Sequence, residues 1–170
     1  MIKRALLHVC RALGLFRLAR RRLRGRLLIL GYHGVAQADE HRWRPKLFMS
    51  SETFERRLGY LARAGIPVVS LGDALDRLDR PDAPWAVALT FDDGFHNYAT
   101  VAAPRLDRRG MPATVYVASY YTEHPRWPVF DLIVDYALWR SPAREAPGAL
   151  IGEGEPLGAP LPLRRHARRR

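Results

Sequence analysis

Apolar and polar positions along the chain fall into blocks that predict alternating strands and helices. The most informative block is an almost unbroken apolar run from Trp85 to Phe91, which stops at Asp92, Asp93 and Gly94. This run is rich in Val, Leu and Phe and has no helical periodicity, so it predicts a strand buried on both faces. In α/β folds ligands bind at the carboxyl edge of such strands, which is where the two aspartates would lie.

The remaining pattern predicts repeated βα units. Shorter apolar runs at 26–30, 66–69 and 112–118 predict further buried strands. Helices are predicted after Ser50, after Ser70, after Gly94 with a kink or restart at Pro104, and over 130–139. Strands that alternate with helices at this spacing favour an α/β fold with parallel strands.

Two stretches are predicted as loops. Residues 36–49 are polar and long enough to form a lid or rim, and residues 119–128 carry two tyrosines together with His124 and Trp127. Residues 141–170 are dominated by Pro, Gly, Ala and Arg without periodicity, so we expect a disordered tail.

Residues 1–25 predict one basic amphipathic helix, in which Leu6, Leu13 and Phe16 belong to the apolar face. The segment lacks the features of a signal peptide and is too charged to span a bilayer, so the expected location is cytoplasmic or peripheral at a membrane. Two functions remain open for it. It can lie on an anionic membrane surface through residues 1–24, or it can pack against the domain.

The net charge of +11 does not predict a nucleic-acid groove, because it is concentrated at the two ends of the chain. Residues 1–38 contain nine Lys and Arg and no acidic residue, whereas residues 39–139 sum to about −2. We therefore expect no specific nucleic-acid partner. Cys10 is the single cysteine and permits no intrachain disulfide.

Candidate chemistry begins with Asp92 and Asp93, since adjacent side chains on a strand point in different directions and can hold different roles. Gly94 lets the backbone turn with a positive φ. His33, at the end of the first predicted strand, is a candidate ligand or acid, with a structural loop imidazole as the alternative. Asp-Asp-Gly is also a common turn sequence, so spacing alone leaves both interpretations open.

Four segments together resemble the polysaccharide deacetylases, the NodB-homology group of carbohydrate esterase family 4. They are Leu30-Gly31-Tyr32-His33-Gly34-Val35, the Gly65-to-Leu71 segment, Thr90-Phe91-Asp92-Asp93-Gly94-Phe95 and the Arg109-to-Val117 segment with its Gly-Met-Pro-Ala-Thr core. The resemblance covers residues 26–140, which we expect to be the amino-terminal part of such a domain.

The resemblance implies a distorted (β/α) barrel that hydrolyses N-acetyl groups of a polysaccharide with a divalent metal, usually zinc. It implies that Asp93 is a metal ligand and Asp92 the general base, with His33, Tyr32 and Gly94 as further site candidates. These roles suit the residue types, because a metal lowers the pKa of bound water and a carboxylate can accept its proton.

The chain departs from the family pattern in three respects that bear on activity. The family's His-x-x-x-His metal motif and a later catalytic histidine are missing, and no further strands are predicted in residues 141–170. We therefore expect an incomplete barrel, a truncated or inactive fragment with little deacetylase activity, and self-association through open strand edges. A basic membrane-surface protein is the remaining alternative.

Overall fold

The computed structural model describes residues 2–22, 24–80, 82–142, 145–146 and 161–162. The helices are α1 (Ile2–Ala12), α2 (Leu15–Arg22), α3 (Glu40–Trp43), α4 (Ser51–Arg63), α5 (Leu71–Leu78), α6 (Ala103–Asp107), α7 (Ser119–Glu123) and α8 (Phe130–Arg140). The strands are β1 (Leu27–Tyr32), β2 (Gly34–Val35), β3 (Phe48–Met49), β4 (Val68–Val69), β5 (Ala86–Phe91), β6 (Ala113–Val115), β7 (Glu145–Ala146) and β8 (Leu161–Pro162). A π-helical turn, Tyr98–Ala102, precedes α6.

The central element of the fold is β5, as its apolar run predicts. All six of its residues are buried, and it pairs in parallel with β1 along its whole length. On its other side β4 pairs with the first half of β5 and β6 with the second half, also in parallel. The predicted α/β fold with parallel strands is therefore confirmed, although the sheet is open within the described residues and a closed barrel stays a prediction.

The core packs α4 against the face of the sheet that carries Phe91. Phe54 and Leu58 of α4 are fully buried, and Phe54 meets Phe91 edge to face at 5.9 Å between ring centroids. Helix α4 begins as predicted, because the Ser50 hydroxyl accepts a hydrogen bond from the Thr53 N–H at 3.2 Å. This packing fixes the orientation of β5 and of the residues that follow it.

The prediction of a buried first strand is wrong for β1. Leu28 and Ile29 remain about half exposed, because β1 pairs only with β5 among the described strands and lies at the edge of the sheet. An apolar run cannot by itself distinguish a strand covered on both faces from one at an edge.

The predicted loops contain regular structure. Within 36–49 the chain forms α3 and β3, and β3 pairs in parallel with β2, while Trp43 and Phe48 are buried. Within 119–128 the first residues form α7. All three elements are too short for hydrophobic periodicity to predict them, and the burial of Trp43 and Phe48 stabilises α3 and β3 instead.

The single amino-terminal helix predicted over residues 1–25 is instead two helices, α1 and α2. Gly14 separates them with a φ of +68°, a conformation that a helix interior does not permit. Their apolar face does not pack into the core, since Leu6 of α1 and Leu18 of α2 are 62% and 50% exposed and Leu13 between the helices is 68% exposed. None of the helices described is long and apolar enough to cross a membrane.

Helix α6 restarts the chain where Pro104 predicts it, directly after the π-helical turn. In the predicted tail, β7 pairs antiparallel with β8. The other residues of the predicted disordered segment 141–170, apart from 141 and 142, lie outside the described part of the chain.

Candidate active site

The carboxyl ends of β1 and β5 bring Asp92 and His33 together. Tyr32 and Phe91 are partners in the parallel register, and the Asp92 N–H extends this pairing by donating to the Tyr32 carbonyl oxygen at 2.8 Å. The next residue of each strand therefore leaves the sheet at the same edge. There His33 Nε2 lies 3.9 Å from Asp92 Oδ2, and both side chains are 44% exposed.

This distance is longer than that of a hydrogen bond. A small movement of either side chain would bring the two atoms into hydrogen-bonding distance, or a water molecule could bridge them. A carboxylate beside an imidazole at an exposed edge can exchange protons with a bound substrate or with solvent. The structure thus brings His33 to the same rim as Asp92, where the sequence places it.

The chain turns sharply at Asp93 and Gly94. Both adopt the left-handed conformation, with φ values of +69° and +65°. Gly94 behaves as the sequence predicts, whereas the positive φ of Asp93 does not follow from the sequence pattern. Such a conformation is uncommon for a residue with a side chain, and it reverses the chain immediately after β5.

The turn is held against the segment that follows β6. The Tyr116 N–H donates to the Phe91 carbonyl oxygen at 2.7 Å, and the Ala118 N–H approaches the Asp93 carbonyl oxygen at 3.5 Å. A Cβ atom on Gly94 would come within 3.2 Å of Val117. Glycine is therefore required here both for its φ and for the close approach of Val117.

Tyr32, a site candidate by resemblance, has its side chain in the core. Its ring stacks on Phe91 at 5.3 Å and meets Phe54 at 5.5 Å, and only 5% of the residue is exposed. Because successive side chains of a strand alternate, Tyr32 and His33 cannot both face the rim. Tyr32 is connected to the site through its backbone, because its carbonyl oxygen accepts a hydrogen bond from the Asp92 N–H.

Asp93 lines an open cleft of about 500 Å³ between the end of β5 and the segment that leads into α8. Its other lining residues are Arg44, Leu47, Gly94, Phe95, His96, Ala118, Tyr121, Pro125, Trp127, Val129, Asp131 and Leu132. The sequence pattern shows the aromatic residues of 119–128 but indicates no role for them. It does not indicate Arg44, His96 or Asp131 as site residues, because they reach the cleft from separate parts of the chain.

The described residues do not form a complete metal site. No group of three or more His, Cys, Asp or Glu side chains lies close enough to hold an ion, whereas zinc in catalytic sites takes three protein ligands. The Asp93 carboxylate is a suitable metal ligand, but the described part of the chain supplies too few further ligands beside it. An ion held by Asp93 would therefore need further ligands from outside these residues.

Comparison with known proteins supports the resemblance noted in the sequence. The polysaccharide deacetylase family profile matches residues 79–139, a segment that contains β5, Asp92, Asp93 and the cleft wall up to α8. No curated protein matches the chain significantly.

Three solved structures are similar to the chain. IcaB from Ammonifex degensii is 28% identical, with 54% of this chain and 37% of that chain covered and a TM-score of 0.46. The deacetylase PplD of Streptococcus pyogenes, solved in complex with acetate, is 27% identical, with 58% and 45% covered and a TM-score of 0.51. A de-N-acetylase from Aggregatibacter actinomycetemcomitans is 19% identical, with 80% and 61% covered and a TM-score of 0.49.

The family match and the likeness to PplD agree with the motifs around Asp92. The chain is thus similar to the polysaccharide deacetylases, most specifically over residues 79–139. It spans less than two thirds of the length of each of the three solved structures.

Proposed function

We propose that this protein is a carbohydrate N-deacetylase, which hydrolyses the amide bond of N-acetyl groups on a polysaccharide. The observation that carries the proposal is the pairing of Asp92 with His33 at the carboxyl edge of β5, inside the segment that matches the deacetylase family. We further propose that the open parallel sheet forms part of a (β/α) barrel of the deacetylase type.

Asp92 is the general base of this proposal. Hydrolysis adds water to the acetyl carbonyl carbon, breaks the C–N bond and releases acetate and a free amine. The Asp92 carboxylate accepts the proton of the attacking water, and His33, 3.9 Å away, is the proposed acid that returns a proton to the leaving amine. Both side chains are exposed enough to meet a polymer approaching the rim.

Asp93 is proposed as a ligand for a divalent metal, with zinc as the expected ion. When bound, such an ion would polarise the acetyl carbonyl and the attacking water. Its remaining ligands would come from groups other than the described residues, because these do not complete the site. Without a complete site the rate should be low, since general acid–base catalysis alone contributes about 10²- to 10⁴-fold.

The test measures acetate release from oligomers of N-acetylglucosamine, with and without added zinc. Asp92→Asn should lower the rate roughly 100-fold, because it removes the proton acceptor while keeping the side-chain shape. Asp82→Asn changes an exposed aspartate that precedes the amino end of β5, whereas Asp92 follows the carboxyl end, and it should leave the rate unchanged. Equal release by the wild type, Asp92→Asn and a protein-free control would contradict the proposal and favour an inactive fragment or pseudoenzyme.

A second candidate function, contact with an anionic membrane surface, is supported by the exposure of α1 and α2. Leu6, Leu13 and Phe16 are 62%, 68% and 44% exposed, and the first 38 residues carry no acidic side chain. An apolar face flanked by basic residues can enter the headgroup region, with about 1 kcal/mol from each Lys or Arg near the surface.

Co-sedimentation with vesicles of anionic phospholipid tests this second function. The double variant Leu6→Glu/Leu13→Glu should lose binding at low salt, whereas Leu75→Glu/Leu78→Glu should keep it. Leu75 and Leu78 are the matched control because they are 54% and 49% exposed on α5, outside the basic segment. Equal pelleting of both variants would leave α1 and α2 without a membrane role.

A further inference from the structure

One side of the cleft that begins at Asp93 is lined by Trp127, a member of an aromatic cluster that the proposed reaction does not use. The cluster consists of Tyr120, His124 and Trp127, and Trp127 itself lines the cleft. We propose that Trp127 is a stacking platform for a sugar ring next to the residue that is deacetylated. This inference rests on the proposed deacetylase function and assigns it a binding subsite.

Trp127 is unusually exposed for its size, yet it is held in place. The residue is 63% exposed, while its indole meets Tyr120 at 6.3 Å with an interplanar angle of 89° and His124 at 5.9 Å with an angle of 65°. The backbone N–H of Trp127 also donates to the His124 carbonyl oxygen at 2.9 Å, which closes a turn after α7. A ligand would therefore meet an indole whose position is largely fixed before binding, which lowers the entropic cost of association.

The partners of Trp127 are themselves fixed to each other. The rings of Tyr120 and His124 stack at 4.7 Å with an angle of 28°. His124 Nδ1 also lies 2.9 Å from the Tyr120 carbonyl oxygen, so the imidazole is tied to the backbone of α7. The support behind the indole is thus built from side chains and backbone that belong to one short segment.

The cleft combines an exposed indole face with polar side chains, which is the combination that a sugar ring requires. A pyranose presents carbon-bound hydrogens on its faces and hydroxyl or acetamido groups around its edge, and an indole face matches the first of these. His96 and Asp131 also line the cleft and can form hydrogen bonds with the edge groups. Arg44 completes the polar lining and is held by an ion pair with Asp135 of α8.

The size of the cleft agrees with this assignment. Its volume of about 500 Å³ lies within the range of small-molecule sites, and its open form leaves room for a polymer to continue beyond it. Because Asp93 is part of the same lining, a ring stacked on Trp127 would place its neighbour in the polymer toward the rim that holds Asp92 and His33. A protein partner that docks on the aromatic cluster would not need these convergent polar groups.

The experiment measures binding of N-acetylglucosamine oligomers to the full chain by titration calorimetry, with affinity read separately from acetate release. Trp127→Ala should weaken binding roughly tenfold, the equivalent of about 1.4 kcal/mol, whereas Trp127→Phe should stay within about threefold of the wild type because it keeps an aromatic face. Phe130→Ala is the control, since Phe130 is 71% exposed three residues away but does not line the cleft. It should bind like the wild type.

Each outcome decides the proposal. Wild-type affinity in Trp127→Ala, absence of oligosaccharide binding by the wild type, or an equal loss in Phe130→Ala would overturn it, the last by pointing to a general apolar docking surface. Weakened binding in Trp127→Ala without acetate release by any variant would support the subsite and reject the deacetylase function. Acetate release that depends on Asp92, together with unchanged binding in Trp127→Ala, would support the deacetylase function and reject the subsite.

Discussion

Gly94 is the residue on which the geometry of the rim depends most directly. Gly94→Ala should reduce the free energy of unfolding by about 1–3 kcal/mol, because alanine resists a positive φ and its Cβ would press on Val117 at 3.2 Å. Gly110→Ala is the matched control, since Gly110 also has a positive φ, of +58°, but faces open space. Urea unfolding of both variants measures the difference, and equal losses would show that the contact with Val117 does not matter.

Tyr98 gives the protein a predictable response to alkali. Burial, followed by the nearby Asp107 carboxylate, raises the pKa of Tyr98 above its usual value of 10.0. A folded-state pKa above the unfolded one favours the neutral phenol in the native state, so this contribution to stability is present below about pH 10 and lost as the pH rises through the folded-state pKa.

Tyr98→Phe should remove that part of the pH dependence while keeping the ring against Phe91, which lies 4.8 Å away between centroids. Unfolding free energies measured from about pH 9 to 11 should fall less steeply in the variant than in the wild type. Parallel slopes would show that Tyr98 titrates alike in both states.

Individual site residues were predictable to different degrees. Asp92 and Asp93 could be found because an apolar run ending in acidic residues marks the carboxyl edge of a buried strand. His33 followed from the same rule applied to β1. The family motif that contains Tyr32 indicates a site residue, but the alternation of side chains along β1 places its ring in the core.

At the scale of single elements, the serine caps are the clearest sequence signals that the structure reproduces. The Ser50 and Ser70 hydroxyls accept hydrogen bonds from Thr53 and Asp73 N–H groups at 3.2 and 3.1 Å. Ser50→Ala and Ser70→Ala should each cost about 1 kcal/mol of stability, because each leaves a helix N–H without its partner.

Ser119→Ala is the control for the two cap variants. Ser119 is the first residue of α7, whose cap position is Ala118 and which has no side-chain cap bond. Thermal or urea unfolding should show no comparable loss for it. A loss as large as that of the cap variants would mean that the serines act through something other than capping.

The elements that the sequence pattern does not predict correctly are short or lie at the edge of the sheet. Helix α3 and strand β3 have four and two residues, too few for a period to emerge, and they are stabilised by the burial of Trp43 and Phe48. The break between α1 and α2 depends on one glycine within a continuous amphipathic pattern. Which strand lies at an edge depends on long-range pairing, which hydrophobic runs do not encode.

At the scale of the whole molecule, the described sheet is open, and β1 presents apolar residues at its edge. Exposed strands of this kind pair readily with other chains. We expect the protein to self-associate as its concentration rises, and Ile29→Lys, at a position 50% exposed on β1, should reduce that association by placing a charge on the edge.

Sedimentation velocity over a concentration series measures this effect. Leu75→Lys adds the same charge at a site 54% exposed on α5, away from any strand, and should associate like the wild type. A similar reduction of self-association in both variants would attribute the effect to net charge. Unchanged self-association in both variants would exclude β1 as the contact.

The position of β5 also determines how the molecule opens. Strand β5 is hydrogen-bonded on both sides, to β1 along one edge and to β4 and β6 in succession along the other. Its amide protons should therefore exchange with deuterium only when the whole domain unfolds, whereas those of α1 and α2 should exchange within local fluctuations. Because the Asp92 N–H is bonded to the Tyr32 carbonyl oxygen, Asp92 belongs to the slow-exchanging unit, and the proposed base should keep its place until the last part of the fold gives way.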